Sequence, residues 1–169
     1  MPSFTRSNHR FPPLGSTMPT TPQILYTWHL ISGLTHLLLE STYVYNCFTA
    51  YTTIPHPPPS PHPHHYFLSQ PTRLYGTAYS TSISSYPWTE YAKADRRYAG
   101  IDITTLSLEI ITVCVAGPLA LWVAWCLRRD GGGVSARTWF WAVVLAMGEL
   151  YGGYVYKPTP NSLCPGPLR

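Results

Sequence analysis

The feature that most constrains this chain is residues 28–48, WHLISGLTHLLLESTYVYNCF, an apolar run long enough to cross a lipid bilayer. The run nevertheless contains His29, His36 and Glu40. A charged side chain at the centre of a membrane costs at least about 2.5–3.5 kcal/mol, so such residues usually face a cavity, a partner or a substrate. The run therefore predicts a helix that carries a functional site.

Two further apolar segments complete a set of three predicted spans. A search for about 20 consecutive, mostly apolar residues selects residues 24–51, 103–127 and 138–156. Only 11% of the 169 residues are charged and 14% are aromatic. Soluble domains typically have roughly 25% charged residues, so this composition favours a lipid environment. We predict an all-α fold, a polytopic membrane helical bundle with three transmembrane helices.

The polar segments are predicted to lie outside this bundle. Residues 1–23 have no apolar core of the kind that a cleavable signal peptide needs, so we expect a disordered arm and a first span that itself acts as the targeting signal. The membrane domain is placed at 24–156. Within it, 52–87 is a Pro/His-rich loop that we expect to be weakly ordered. The glycines of RRDGGGVSAR predict a tight turn between the second and third spans, and 157–169 is predicted to be a disordered tail.

Composition and spacing argue against three other functions. The net charge of +4 comes from basic residues scattered over loops, so we expect no nucleic-acid binding and leave the membrane orientation open. The four cysteines form no C-x-x-C pair and are predicted to be small packing residues. The clustered His56, His62, His64 and His65 lie in a proline-stiffened stretch without a companion cysteine or carboxylate, which favours compositional bias over a metal site.

The charged residues of the first span fall on one helical face. His36 and Glu40 are four residues apart and His29 lies seven residues before His36, so all three align along a helix. The same face also contains Ser32, Gly33 and Tyr43. Because the other faces are rich in leucine and isoleucine, this polar stripe is predicted to look into the bundle.

Carboxyl groups recur in the other two spans, Glu109 in the second and Glu149 in the third. Two interpretations stay open for His36, Glu40 and Glu109: interhelical hydrogen bonds that hold the bundle together, or a chemical site, which we favour. For His29 and Glu149 we favour the structural interpretation, because each lies near a span end or beside glycines where water can reach it.

The chemistry that suits such a site is proton transfer in an apolar pocket. A buried carboxyl can keep its proton and act as a general acid, while a neighbouring one stays ionised as a base or as the counter-charge of a cation. The natural substrate is a lipid that gains a proton at one place and loses one at another. Carboxylate charge and aromatic faces would hold the carbocation formed in between.

Four motifs, in the order WHLISGLTHLLLES, PWTEYAKADRRY, LSLEIITVCVAGPLALWV and GELYG, resemble the emopamil-binding protein family, the sterol Δ8-Δ7 isomerases of the wider EXPERA group. The resemblance covers about residues 24–153. It implies a multi-pass protein of the endoplasmic reticulum membrane that moves a ring-B double bond by protonation and deprotonation. No cofactor is implied, because shifting a double bond changes no oxidation state. The implied partners are the lipid bilayer, a sterol substrate and hydrophobic amines as inhibitors, and a homo-oligomer stays open.

The resemblance also assigns roles to individual residues. It places the family's catalytic histidine and glutamate at His36 and Glu40, and its second catalytic glutamate at Glu109. It implies no metal ligand. The loop signature matched by Lys93, Asp95, Arg97 and Tyr98 is expected to shape the mouth of the pocket. The candidate substrate-binding residues are Tyr43, Trp88, Tyr98, Trp122 and Tyr151.

The chain also departs from the family pattern. Family members have five spans, whereas three are predicted here, and a last helix with an N-x-x-W motif has no counterpart. Asn161 lies in the Pro-rich tail, and Gly153 stands where the family usually has an acid. We therefore expect the chain as given to isomerise sterols poorly. The alternative is a non-catalytic membrane protein of the same group that binds sterols or amphiphilic amines.

Overall fold

The first long helix (residues 20–49) carries most of the polar stripe predicted from the sequence. The computed structural model describes residues 19–56, 66–130 and 134–155. The first long helix consists of α1 (Thr20–Leu34), a first π segment (Thr35–Glu40) in which the helix widens, and α2 (Ser41–Thr49).

The connection after this helix contains a small β-ribbon, which corrects the prediction of an all-α chain. Strand β1 (Tyr51–Thr53) pairs antiparallel with β2 (Arg73–Tyr75), and Tyr51 lies opposite Tyr75. These two rings lie 5.4 Å apart, and the Arg73 guanidinium lies 4.2 Å from the centre of the Tyr51 ring. Cross-strand aromatic pairs and cation–π contacts stabilise ribbons of this kind.

Short turns and a short helix make up the second half of the loop predicted at 52–87 and the segment that follows it. These elements are 3₁₀ turns at Phe67–Ser69, Thr77–Tyr79 and Ile83–Ser85, helix α3 (Tyr86–Tyr91) and a further 3₁₀ turn at Arg96–Tyr98. Gly76 has φ 149°, and a Cβ atom there would lie 2.5 Å from the Ala99 carbonyl oxygen. The Thr77 hydroxyl donates to the Tyr98 carbonyl. These contacts tie the loop to residues 96–100, which sequence periodicity does not reveal.

The second and third long helices occupy the other two predicted spans. The second long helix (Ile103–Arg129) consists of α4 (Ile103–Ile111), a second π segment (Thr112–Ala116) and α5 (Gly117–Arg129). The third long helix is α6 (Ala136–Val155). A helix at each of the three predicted spans is thus confirmed, and the chain is mostly helical.

Of the helices in the described part of the chain, the second long helix is the one that is long and apolar enough to cross a membrane by length and composition. The first long helix contains polar side chains such as His29, His36 and Glu40 along its length, which lower its hydropathy. Membrane spanning by the first and third long helices stays a prediction.

The first and second long helices cross at close range because glycine lies on both sides of the contact. A Cβ atom on Gly33 would lie 2.7 Å from Leu121 Cδ2, and one on Gly117 would lie 3.1 Å from His36 Cβ. Small residues at a crossing let two helix backbones approach closely. The crossing brings His36 directly over the second long helix.

Buried side chains form two clusters on either side of this crossing. The aromatic cluster consists of Tyr43, Cys47, Trp88, Tyr98 and Leu106. The aliphatic cluster consists of Ala120, Val123, Leu127, Ala142 and Leu145, and it packs α5 against α6. Cys47 and Cys126 are buried and unbonded, as expected of packing residues, whereas Cys114 is exposed on the helix surface.

Several expectations concern residues outside the described ranges. These are the N-terminal arm up to residue 18, residues 57–65 with His62, His64 and His65, the glycines at 131–133, and the tail with Asn161 and Cys164. Among the residues that the structure does describe, which include His56, no group of three His, Cys, Asp or Glu side chains could hold a metal ion.

Candidate functional site

The candidate site lies where the first π segment faces the second. His36 and Glu40 belong to the first π segment, and Thr112 opens the second, three residues after Glu109. A π segment inserts one extra residue per turn, and such segments are frequent at functional sites. One π segment therefore contains two predicted catalytic residues, His36 and Glu40, and the other begins three residues after the third, Glu109.

His36 and Glu40 form the hydrogen-bonded pair that their spacing predicts. The distance from His36 Nδ1 to Glu40 Oε2 is 2.7 Å, and the two side chains are only 12% and 17% exposed. A short bond between an imidazole and a carboxyl group is a place where a proton can move. The predicted alignment of these two residues is confirmed.

Thr112 links this pair to the second long helix. Its hydroxyl donates to Glu40 Oε2 at 2.5 Å and also lies 3.0 Å from the Glu109 carbonyl oxygen. The sequence interpretation did not select Thr112, although its position three residues after Glu109 places both on one helical face. The threonine fixes the orientation of the Glu40 carboxyl group from the opposite helix.

Glu109 is buried against the first long helix, with 8% of its surface exposed. The Tyr98 hydroxyl donates to its Oε1 at 2.9 Å. Its Oε2 has no hydrogen-bond partner among the described residues. The structure thus brings His36, Glu40 and Glu109 together, as predicted.

Three predicted substrate-binding residues pack beside Glu109. The Tyr98 ring stacks on Trp88 with ring centres 5.5 Å apart and meets Tyr43 edge-on at 5.0 Å. Trp88 Nε1 donates to Thr42 Oγ1 at 2.7 Å, which fixes the indole to the first long helix. The rings form an apolar wall behind the carboxyl group.

The structure does not bring the other two predicted substrate-binding residues to this site. Trp122 packs against the aliphatic cluster, and the Arg137 guanidinium lies 5.7 Å from its ring centre. Tyr151 lies on the outer surface of α6 and is 70% exposed. Helical phase explains both positions, because each residue lies on a face directed away from the glutamates. Their assignment to substrate binding stays a prediction that this geometry does not support.

Glu149, for which a bundle-holding role was favoured, joins the network on the far side of His36. Ser32 Oγ donates to Glu149 Oε1 at 2.7 Å and lies 3.2 Å from His36 Nε2. His29 is nearby, 2% exposed, and its Nδ1 has no hydrogen-bond partner in the described part of the chain. The polar stripe of the first long helix therefore contacts the Thr112 hydroxyl of the second long helix and the Glu149 carboxyl group of the third.

The loop signature lies outside the helix crossing. Arg97 Nη2 lies 2.7 Å from Asp95 Oδ2, and the Asp95 side chain also accepts from the Arg97 backbone amide. Lys93 pairs with Glu90 on the surface, and the hydrogen bond to that carboxylate raises the pKa of Lys93. The Asp95–Arg97 pair holds the 3₁₀ turn that presents Tyr98 to Glu109.

A family profile and several curated proteins match parts of this chain. The family profile for EXPERA, the expanded EBP superfamily, matches residues 83–164. The chain is 27% identical over 134 residues to the "Probable 3-beta-hydroxysteroid-Delta(8),Delta(7)-isomerase" of Arabidopsis thaliana, a match that covers 79% of this chain and 47% of the relative. The protein of the same name from Oryza sativa subsp. japonica is 28% identical over 136 residues, covering 80% of this chain and 48% of the relative.

A mammalian relative matches a shorter stretch. The "3-beta-hydroxysteroid-Delta(8),Delta(7)-isomerase" of Mus musculus is 35% identical over 69 residues, which are 41% of this chain and 28% of the relative. The chain thus matches about half or less of the length of these curated relatives. The profile match lies on the segment that carries Trp88, Tyr98 and Glu109, and over these residues the chain is similar to the EXPERA superfamily.

Proposed function

We propose that this chain is a sterol Δ8-Δ7 isomerase of the endoplasmic reticulum membrane, with the lipid bilayer as its solvent. The observation that carries the proposal is the convergence of His36, Glu40 and Glu109 at the crossing of two helices. Glu40 Oε2 is bonded to His36 and to the Thr112 hydroxyl, which also bonds the Glu109 carbonyl, and Tyr98 bonds the Glu109 carboxyl group. Names of the relatives support the substrate class, and the carboxyl pair supports the reaction type.

The reaction moves one proton onto the sterol and another off it. Moving the double bond from carbons 8 and 9 to carbons 7 and 8 requires a proton on carbon 9, a cation at carbon 8 and loss of a proton from carbon 7. In this proposal the proton held between His36 Nδ1 and Glu40 Oε2 is the one delivered. General acid–base steps of this kind contribute about 10²–10⁴-fold to a rate.

Glu109 is the group that takes the second proton. Its Oε2 is buried and has no donor among the described residues, so a lone pair is free to accept a proton from carbon 7. The carboxylate charge and the Tyr98 and Trp88 rings stabilise the cation. After turnover the proton returns from Glu109 to Glu40. The cycle then restarts without net proton uptake.

A second candidate function follows from the same geometry. A buried carboxylate beside stacked aromatic rings also suits a hydrophobic ammonium ion, whose charge resembles that of the carbocation. The chain could then bind sterols or amphiphilic amines without chemistry. This alternative requires Glu109 and the rings but not the His36–Glu40 proton.

The experiment separates the two functions in one membrane preparation. The 169-residue chain is expressed in cells that lack sterol isomerase, and membranes are assayed for conversion of a Δ8-sterol and for binding of a radiolabelled hydrophobic amine. We expect slow but detectable conversion by the native chain. Glu40→Gln and Glu109→Gln should lower it to background, since general acid–base steps contribute about 10²–10⁴-fold to a rate. The matched control is Glu90→Gln, an exposed glutamate of α3, which should keep full activity.

The outcomes distinguish an isomerase from a binding protein and test Glu109 as the base. Amine binding without conversion would favour the non-catalytic alternative. Full turnover by Glu109→Gln would show that this carboxyl group is not the base.

A further inference from the structure

A chain of hydrogen bonds runs beyond the proposed acid and reaches the third long helix. It starts at Glu40 Oε2, passes through both nitrogens of the His36 ring and the Ser32 hydroxyl, and ends at Glu149 Oε1. The direct distance from His36 Nε2 to Glu149 Oε1 is 4.0 Å, which is too long for a hydrogen bond. Ser32 is therefore the link that connects the two.

The direction of this chain follows from counting hydrogens. A carboxylate can only accept hydrogen bonds, and a serine hydroxyl has one hydrogen to donate. Because Ser32 donates to Glu149 at 2.7 Å, its oxygen has only lone pairs left for His36. The His36 Nε2 atom, 3.2 Å away, must then carry the hydrogen of that contact.

We propose that Glu149 is a positioning residue that, through Ser32, keeps His36 protonated at Nε2. The mobile proton of the ring is then confined to the Nδ1 side, where Glu40 lies at 2.7 Å. Groups that hydrogen-bond the far nitrogen of a working histidine fix its tautomer and ring orientation. This inference rests on the proposed function, because it states how the proposed acid is held ready.

The position of Glu149 on α6 agrees with such a role. The next two residues along α6, Leu150 and Tyr151, are both 70% exposed, whereas Glu149 turns inward and its side chain is 25% exposed. No basic side chain of the described residues other than histidine pairs with it. Its closest polar contact is the Ser32 hydroxyl, at 2.7 Å.

A double-mutant cycle tests the link by activity. Ser32→Ala and Glu149→Leu should each lower kcat about tenfold and leave KM within about twofold, as expected for residues of one hydrogen-bond network. The double variant should be no worse than either single variant, because both cut the same chain. Leu150→Ala, the next residue along α6 and 70% exposed, is the control and should leave both constants unchanged. Additive losses would overturn the proposal.

Glu149→Gln separates hydrogen bonding from charge and keeps the size of the side chain. Its amide oxygen can still accept from Ser32, so the loss should be smaller than in Glu149→Leu. Equal losses in the two variants would show that charge, and not the acceptor, is what matters. Because Gln replaces Glu with little change in volume, it also covers the case in which the Leu variant does not fold.

A spectroscopic measurement tests the inference without reference to turnover. Nitrogen-15 NMR of the histidine-labelled chain in micelles, with the His36 signals assigned by their loss in His36→Gln, should show a protonated Nε2. Ser32→Ala and Glu149→Leu should shift part of the population to an unprotonated Nε2. An unprotonated Nε2 in the native chain would refute the inference. If the native chain has this protonated Nε2 but converts no sterol, the proposed function fails and the positioning of His36 stands.

Discussion

The aromatic cluster and the aliphatic cluster lie towards opposite ends of the second long helix and hold it in different ways. In the aromatic cluster the rings also form hydrogen bonds: Tyr98 to Glu109, Trp88 to Thr42 and Tyr43 to the Arg97 carbonyl. The aliphatic cluster consists of alanine, valine and leucine side chains of α5 and α6, which have no polar atoms. Rings with a polar edge can fill a core and orient a buried acid at the same time. The aromatic cluster therefore supports the site, and the aliphatic cluster supports the bundle.

The largest expected effect comes from removing the central ring of the aromatic cluster. Trp88→Ala should lower the free energy of unfolding by about 3–5 kcal/mol, the usual cost of deleting a buried tryptophan. It also removes the ring stacked on Tyr98 and the hydrogen bond to Thr42, so amine binding should fall. Chemical denaturation in micelles and amine binding at a temperature where the variant stays folded measure the two effects. Unchanged binding would show that the cluster does not support the site.

A deletion in the aliphatic cluster should affect stability alone. Leu127 is 1% exposed and packs with residues of α5 and α6, so Leu127→Ala should cost about 3 kcal/mol. The same denaturation experiment measures this loss. Amine affinity should stay within about twofold of the native value, because the cluster makes no hydrogen bond to the site residues. A loss of affinity as large as in Trp88→Ala would remove the distinction between the clusters.

The loop that encloses the aromatic cluster depends on one glycine. Gly76→Ala should cost about 2 kcal/mol, because an alanine at φ 149° is strained and its Cβ would lie 2.5 Å from the Ala99 carbonyl oxygen. Gly100→Ala is the matched control, since a Cβ atom there would meet nothing within 4 Å. Thermal denaturation of both variants measures the difference. Equal stability would contradict the close approach of the two backbone segments.

The sequence predicted the part of the site that depends on local geometry. The four-residue spacing of His36 and Glu40 sets their contact within one helix, and the structure has that contact. The contacts between helices were missed: Thr112 with Glu40, and Ser32 with Glu149. Such pairs depend on how two helices cross. The periodicity of one helix does not show which face of the other helix is turned toward it.

In the fold, too, the sequence predicted some elements and missed others. The three long helices follow from apolar composition, and the structure has a helix at each predicted span. The ribbon of β1 with β2 was missed, because strands of three residues have no visible alternation and pair across a long connection. The π segments were also missed, since the sequence of such a segment does not differ from that of a regular helix.

Removing one hydroxyl group should have the smallest effect. It also tests most directly whether the aromatic cluster, unlike the aliphatic cluster, supports the site. Tyr98→Phe keeps the ring packing of the aromatic cluster but removes the donor that lies 2.9 Å from Glu109 Oε1. The loss leaves a buried carboxyl oxygen without this partner, which should cost about 1.5 kcal/mol of stability. Because the hydroxyl orients the proposed base, kcat for Δ8-sterol conversion should fall about tenfold.

Tyr43→Phe is the matched control within the same cluster. Its hydroxyl donates to the Arg97 carbonyl at 3.4 Å, a long contact that does not involve a glutamate. Denaturation and turnover of the two variants are measured side by side, and we expect Tyr43→Phe to stay within about threefold of native turnover, since a weak neutral hydrogen bond contributes little. If both variants lose turnover equally, the rings act through packing alone. If Tyr98→Phe loses stability but keeps native turnover, the orientation of Glu109 does not depend on the aromatic cluster, and the two clusters differ only in composition.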